Sequence, residues 1–167
     1  MVLKTTSAPS DTKAAQPLSA HILIIEARFY EAIADMMADG AVAECQARGV
    51  TFERIVVPGA LEIPQVLAAA GAAKAAGRFA FDGAVVLGCV IRGETAHYDI
   101  VCNNANHWTM DAASRHDVPV GNGILTVENE VQAIARAEGG ISNKGGDAAR
   151  ACLRLIELKR AFWSRGA

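Results

Sequence analysis

One segment of the chain is apolar on both of its alternating faces, and it constrains the fold more than any other. It is FDGAVVLGCVI, residues 81–91. Successive side chains of a β-strand point to opposite sides of the sheet, so a strand that is apolar on both sides is covered on both. This pattern is typical of a central strand in a parallel sheet. Three more segments have strand character: HILIIEA (21–27), TFERIVV (51–57) and VPVGNGILTV (118–127).

Helical periodicity fills the segments between these strands. Apolar spacing predicts helices over 30–48, 64–76, 96–115, 129–138 and 144–163. Gly49 and Gly77 stand where glycine ends a helix, and Pro64 fits a first helical turn. Alternating strands and helices predict an α/β fold, here a three-layer α/β/α sandwich around a four-stranded parallel sheet. We expect a single domain over residues 19–167, preceded by a flexible arm over residues 1–18.

The composition argues against several classes of function. The net charge is −2 and the pI is about 6.1, whereas non-specific nucleic-acid binding needs a basic protein. No apolar run reaches the length of a membrane span, and the first twenty residues lack the apolar core of a signal peptide. We therefore expect a cytoplasmic protein. The four cysteines have no CxxC spacing, so no metal site is predicted.

Polar residues and glycines follow each predicted strand, and in such sheets ligands bind beyond the carboxyl ends of the strands. After the third strand, Gly93 permits a tight turn, and the amides of Glu94 and Thr95 precede a helix whose positive end attracts an anion. His97 falls in the first turn, where the helix dipole favours a neutral ring that can accept a proton. The alternative is that Thr95 caps the helix and His97 is a surface residue.

The other strand ends carry further candidates, each with a simpler alternative. Phe29 offers a flat face for a heterocycle, or is a core or staple residue. Glu62 accepts hydrogen bonds from a ligand, or complements a helix dipole. Arg136 and Lys144 bind a phosphate, or are solvated charges. A Walker loop and a GxGxxG motif after the first strand are both absent from the sequence.

Five segments, in this order and spacing, resemble the lumazine synthase family of riboflavin biosynthesis. They are ARF (27–29), VPGALEIP (57–64), GCVIRGETAHYDIVCN (88–103), GILTVEN (123–129) and NKGGDAA (143–149). The resemblance covers residues 21–163 and implies a flavodoxin-like fold. It also implies the condensation of 5-amino-6-(D-ribitylamino)uracil with 3,4-dihydroxy-2-butanone 4-phosphate, which gives 6,7-dimethyl-8-ribityllumazine, phosphate and water. Neither a metal nor an organic cofactor is implied.

The resemblance assigns a role to residues at every strand end. It implies that His97 transfers protons and that the remaining positions bind substrate: Phe29 and Cys89, Val90, Ile91 at the pyrimidine, Ala60, Leu61, Glu62 at the ribityl chain, and Glu94, Thr95, Arg136, Lys144 at the phosphate. Asn122 stands near the pyrimidine, where phenylalanine is common in the family. Leu61 also replaces a common phenylalanine.

The resemblance also implies a homo-oligomer whose sites lie between neighbouring subunits, so that Arg136 reaches the site of the adjacent chain. The turn over residues 138–142 lacks the GTKAG-like sequence of members that form sixty-subunit capsids. We therefore expect a pentamer rather than a decamer or a capsid. Two other functions stay open at this point: an inactive shell or flavin binder, and a flavodoxin or receiver module suggested by the sheet alone.

Overall fold

A computed structural model describes residues 16–165 and shows a parallel sheet covered by helices on both faces. The strands are β1 (His21–Ala27), β2 (Thr51–Val57), β3 (Gly83–Ile91) and β4 (Val120–Val127). The helices are α1 (Glu31–Ala47), α2 (Ile63–Ala75), α3 (His97–Arg115), α4 (Glu130–Ala137) and α5 (Lys144–Ser164). Short 3-10 turns, Ala60–Glu62 and Gly140–Ser142, precede α2 and α5.

All four strands run parallel in the order β2-β1-β3-β4. The predicted α/β/α sandwich is therefore confirmed, and β3 lies inside the sheet as its sequence indicated. Its first seven residues, Gly83 to Cys89, are buried without interruption. The edge strand β2 is exposed along most of its length, in keeping with its charged residues Glu53 and Arg54.

Alternation along the inner strands divides the core into two layers. In β1, Ile22 and Ile24 pack with α1, α4 and α5, whereas Leu23 and Ile25 pack with α2 and α3. Helix α5 lies so close to β4 that a Cβ on Gly121 would stand 1.8 Å from the carbonyl oxygen of Ala148. The glycine is therefore required by the helix that covers this face.

Two predicted strands begin two residues too early. The segments 81–91 and 118–127 were expected to be strands throughout, but β3 begins at Gly83 and β4 at Val120. Phe81 and Val118 are buried, which produced the strand-like pattern, yet their backbones do not join the sheet. The N–H of Val118 donates to Ala113 at the end of α3, and the carbonyl of Phe81 accepts from Lys74. These residues are apolar because they are buried in the tertiary structure, and not because they belong to a strand.

The predicted arm falls almost entirely on residues 1–15, which lie outside the described residues. Its last residues contact the end of α1: the Leu18 N–H donates to the Arg48 carbonyl, and the Arg48 Nε donates to the Gln16 carbonyl. Across residues 16–165, no helix combines the length and apolar character needed to cross a membrane.

Candidate active site

A cavity of about 270 Å³ opens at the carboxyl edge of the sheet, where β1, β2 and β3 end. Nine of the residues predicted to form the site line its wall: Phe29, Ala60, Leu61, Glu62, Cys89, Val90, Ile91, Thr95 and His97. They come from three segments that are distant in sequence. The parallel sheet brings them together because each segment follows a strand that ends at this edge.

Phe29 stands at the mouth of the cavity, after β1. It is 73% exposed, which excludes the alternative of a core residue. The ring of the neighbouring Tyr30 lies at a steep angle to the Phe29 ring, with centroids 5.0 Å apart, and the exposed Phe29 ring remains accessible to a ligand. The backbone of this turn is tied to β2, since the Arg28 N–H donates to the carbonyl of Val57 at 3.0 Å.

Glu26, a fully buried carboxylate at the end of β1, fixes the turn that carries Phe29. Arg54 of β2 donates to both of its oxygens, and Arg28 lies 3.4 Å from Oε2. Arg28 also pairs with Asp35 on α1 at 2.6 Å. The hydrogen bond that Arg54 donates to Glu26 raises the pKa of Arg54. The buried carboxylate is thus matched by two cations. Sequence analysis missed this role, although a glutamate in the apolar run HILIIEA was the available signal.

The turn after β2 forms the floor of the cavity. Gly59 is extended, and Ala60–Glu62 make one 3-10 turn into α2, with Pro64 in the first helical turn as predicted. Glu62 occupies the N-cap position of α2, but its side chain makes no capping hydrogen bond. The carboxylate is therefore left beside the cavity, where it can accept hydrogen bonds from hydroxyl groups.

His97 is the first residue of α3, and so lies in the first helical turn as predicted, and its side chain lies on the cavity wall. Its backbone N–H donates to the Thr95 hydroxyl at 3.3 Å, so the capping alternative for Thr95 is partly right. Among the described residues, the His97 ring makes no hydrogen bond. A ring in the first turn of a helix, next to backbone amides suited to an anion, can accept and return a proton there.

Arg92, between β3 and this turn, makes its side-chain contacts with residues of its own chain. Its guanidinium donates to Glu128 at 2.8 Å, lies 3.5 Å from Asp99 and stacks 4.0 Å above the ring of Tyr98. Its backbone N–H donates to the carbonyl of Val127. Arg92 therefore joins the ends of β3 and β4 and holds the first turn of α3 instead of presenting its charge to a ligand.

Cys89 contributes an unreactive thiol to the cavity. Burial raises its pKa to about 11, so the thiolate is scarce near neutral pH and a cysteine nucleophile is not indicated. Tyr30, Tyr98 and Val101 also line the wall, and sequence analysis did not name them as site residues. Tyr30 and Tyr98 adjoin Phe29 and His97 in sequence, which was the only signal for them.

Four predicted site residues lie outside the cavity wall: Glu94, Asn122, Arg136 and Lys144. The Asn122 amide accepts from the Ile124 N–H at 2.9 Å and donates to Asn106 at 2.7 Å. Arg136, in the last turn of α4, donates to the carbonyl of Gln132. Lys144, the first residue of α5, pairs with Asp147 at 2.7 Å. Helices α4 and α5 cover the opposite face of the sheet from α2 and α3.

No group of three or more His, Cys, Asp or Glu residues within 16–165 is arranged to hold a metal ion. The cavity wall offers an aromatic face, a carboxylate, backbone amides and a histidine. Such a set of groups can bind a polar heterocycle with a hydroxylated chain and can move protons on it.

Comparison with known proteins identifies the family. The family model described as 6,7-dimethyl-8-ribityllumazine synthase matches residues 19–160. A protein of Rhodopseudomonas palustris named 6,7-dimethyl-8-ribityllumazine synthase 1 is 51% identical over 142 residues, which is 84% of this chain and 86% of the relative. The protein of that name from Rhizobium meliloti is 53% identical over 140 residues, 84% of this chain and 92% of its own length. The flavodoxin and receiver alternatives are thereby set aside.

Proposed function

The chain belongs to the 6,7-dimethyl-8-ribityllumazine synthase family, and we propose that the cavity at the carboxyl edge of its sheet is the substrate site. The enzyme is a transferase of riboflavin biosynthesis. It condenses 5-amino-6-(D-ribitylamino)uracil with 3,4-dihydroxy-2-butanone 4-phosphate to give 6,7-dimethyl-8-ribityllumazine, phosphate and water, the penultimate step of the pathway. The observation that carries the proposal is the convergence of Phe29, Glu62 and His97 on one cavity from three strand ends.

The pyrimidine substrate fits the apolar half of the cavity. Its ring stacks on the open face of Phe29, and the strand end at Cys89, Val90 and Ile91 meets its edge with backbone donors and acceptors. The ribityl chain runs over Ala60 and Leu61 towards Glu62, whose carboxylate accepts from its hydroxyl groups. Asn122 lies outside the cavity wall, and the hydrogen bonds that it donates to Asn106 and accepts from the Ile124 N–H limit its freedom to contact the ring.

The phosphate of the second substrate belongs at the start of α3. The amides of Glu94 and Thr95 and the positive end of the helix attract an anion there. Arg136 and Lys144 add two cations, supplied by the neighbouring subunit because within one chain they lie outside the cavity wall. His97, in the same turn, exchanges protons as the imine forms, phosphate leaves and the second ring closes. Holding two small molecules together supplies much of the remaining acceleration.

A homo-oligomer follows from a site that two chains share. We propose a pentamer, on the ground that the turn over residues 138–142 lacks the GTKAG-like sequence of capsid-forming members. We place the enzyme in the cytoplasm, where the other steps of a small-molecule biosynthesis provide its substrates. No nucleic acid, membrane, cofactor or metal belongs to the proposed reaction.

A synthase assay tests the proposed function. Purified protein is mixed with both substrates, and the lumazine product is followed by its absorbance and fluorescence. We expect product well above the uncatalysed background. Arg136→Ala should raise the KM for the butanone phosphate at least tenfold, since hydrogen bonds to charged groups contribute about 1.5–3 kcal/mol. Arg154→Ala, which removes an exposed arginine on α5, is the matched control and should leave both KM values unchanged.

Absence of product from a folded oligomer would contradict the catalytic assignment. It would favour the alternative of a shell or flavin binder that has lost turnover. Product formation with an unchanged KM in Arg136→Ala would retain the enzyme but move its phosphate site elsewhere.

A further inference from the structure

A buried asparagine connects α1, α4 and α5 by hydrogen bonds. In sequence it lies between Arg136 and Lys144, the two cations proposed to bind phosphate. Asn143 is 2% exposed and forms the N-cap of α5. Its Nδ2 donates to the carbonyl oxygens of Met36 on α1 and Ala137 at the end of α4, each at 2.6 Å. Its Oδ1 accepts from the N–H of Gly146 at 2.9 Å. Both amide hydrogens are used, which is the full donor capacity of the side chain.

The backbone of Asn143 is held as firmly as its side chain. Its N–H donates to Gly140 and its carbonyl accepts from Asp147, each at 2.9 Å. The surroundings leave little room for displacement, because a Cβ on Gly40 would stand 2.0 Å from Asn143 Oδ1. A Cβ on Gly145 would stand 1.9 Å from the Met37 carbonyl oxygen. The start of α5 therefore rests against α1 in a close contact of backbone on backbone.

The hydrogen bonds of Asn143 bear directly on Arg136 and Lys144. Ala137, whose carbonyl it binds, follows Arg136 in sequence, and Lys144 follows Asn143 itself. The two cations make their own contacts only within their helices, to Gln132 and to Asp147, as far as the described residues extend. One amide thus spans the gap between the end of α4 and the start of α5.

We propose that Asn143 is a positioning residue for the phosphate-binding pair, and this rests on the proposed function of Arg136 and Lys144. Its amide fixes the distance between the two helix ends, so that both cations meet one phosphate group of the four-carbon substrate. A phosphate bound by two separate cations loses affinity when either is displaced by about 1 Å. The pyrimidine is bound by other strand ends, so its affinity does not depend on this amide.

The substitution Asn143→Ser separates positioning from helix capping. A serine hydroxyl still caps α5 by accepting from the Gly146 N–H, but it is too short to donate to both Met36 and Ala137. We expect the KM for 3,4-dihydroxy-2-butanone 4-phosphate to rise about tenfold, while the KM for the pyrimidine stays within about twofold. Inhibition by inorganic phosphate should weaken by a similar factor.

The matched control is Asn129→Ser, which makes the same change at the N-cap of α4, where Asn129 accepts from the Gln132 N–H. It should leave both KM values unchanged. If Asn143→Ser does not assemble, Asn143→Thr, which also keeps a capping oxygen, decides by the same criterion. Equal changes in both KM values, or a lower melting temperature with normal kinetics, would reduce Asn143 to a structural residue and overturn the proposal.

Arg136→Ala and Lys144→Ala, measured in the same series, distinguish a failure of the positioning role from a failure of the proposed phosphate site. If both raise the KM for the butanone phosphate and Asn143→Ser does not, only the positioning role fails. If neither raises it, the phosphate site itself is misplaced and the inference about Asn143 falls with it.

Discussion

Residues at the cavity are of two kinds. Some are charged and form ion pairs within the chain, whereas others have side chains that remain accessible to a ligand. Arg92 is paired with Glu128 and Asp99, and the carboxylate of Glu26 is enclosed by Arg28 and Arg54. These groups shape the strand ends. The Phe29 ring and the His97 ring, by contrast, lie on the cavity wall, where they can contact substrate.

Replacing His97 tests the proton-transfer role. His97→Ala should lower kcat about a hundredfold without abolishing turnover, because general acid–base catalysis contributes about 10²–10⁴-fold and the positioning of the substrates is retained. His107→Ala removes another exposed histidine of α3 and should leave kcat unchanged. Single-turnover measurement of lumazine formation distinguishes the two variants. An unchanged kcat in His97→Ala would exclude the proposed role.

Sequence patterns identified the residues of the cavity wall better than they identified the residues that support it. Phe29, Thr95 and His97 follow strands, and that position is readable from the sequence alone. The partners of Arg92 and Glu26 cannot be identified from the sequence alone. Glu128 and Arg54 are distant from them in sequence and are brought close by the pairing of neighbouring strands.

Secondary structure elements place the site, and their central parts were predicted well. β1 and β2 have the predicted bounds, and their apolar and β-branched residues lie within the paired segments. Helix ends were predicted where capping residues are distinctive, as at Gly49 and Gly77, which adopt φ values of +65° and +68°. The starts of β3 and β4 were wrong because buried connections have the same apolar character as strands.

The ion pair between α1 and α5 makes stability depend on pH. Burial alone would raise the pKa of Glu157, but hydrogen bonds from Arg48 and Arg154 outweigh this effect and lower it below its ordinary value of about 4.5. A lowered carboxyl pKa contributes stability above the ordinary value and loses it as the pH falls through the folded value. The contribution should therefore be complete at pH 6 and should disappear in acid.

The variant Glu157→Gln tests this dependence. At pH 6 its melting temperature should be about 2 °C below that of the parent, since a partly exposed ion pair contributes up to about 1 kcal/mol. At a pH low enough to protonate Glu157 in the folded state, the two proteins should melt together. Glu138→Gln, at the exposed end of α4, should follow the parent at both pH values. A difference between parent and Glu157→Gln that persists unchanged at low pH would contradict the ionic origin.

The whole molecule separates its ligand groups onto two sides of one sheet. The cavity opens among β1, β2, β3 and α3, whereas Arg136 and Lys144 belong to helices that cover the other face. Within a single chain, the proposed pyrimidine site and the proposed phosphate-binding pair therefore do not meet. In the assembly we propose, the pair of one subunit reaches the cavity of the next, which removes this separation.

Sedimentation equilibrium tests the proposed assembly. A pentamer should have about five times the mass of the 17.5 kDa chain, with no dependence on protein concentration in the micromolar range. Arg154→Ala serves as a surface control that leaves the mass unchanged. A decamer or a sixty-subunit particle would contradict the assignment of a free pentamer.

The most direct test of the central claim is the KM for 5-amino-6-(D-ribitylamino)uracil in Phe29→Ala, because only a substrate stacked in the cavity can depend on this ring. Phe162→Ala removes an equally large aromatic that is 63% exposed on α5, far along the chain from the cavity, and serves as the control. We predict a KM raised about tenfold or more in Phe29→Ala, in line with about 1–3 kcal/mol for one stacked base, and an unchanged value in Phe162→Ala. An unchanged KM in Phe29→Ala, with the oligomer intact, would contradict the assignment of this cavity as the site of lumazine synthesis.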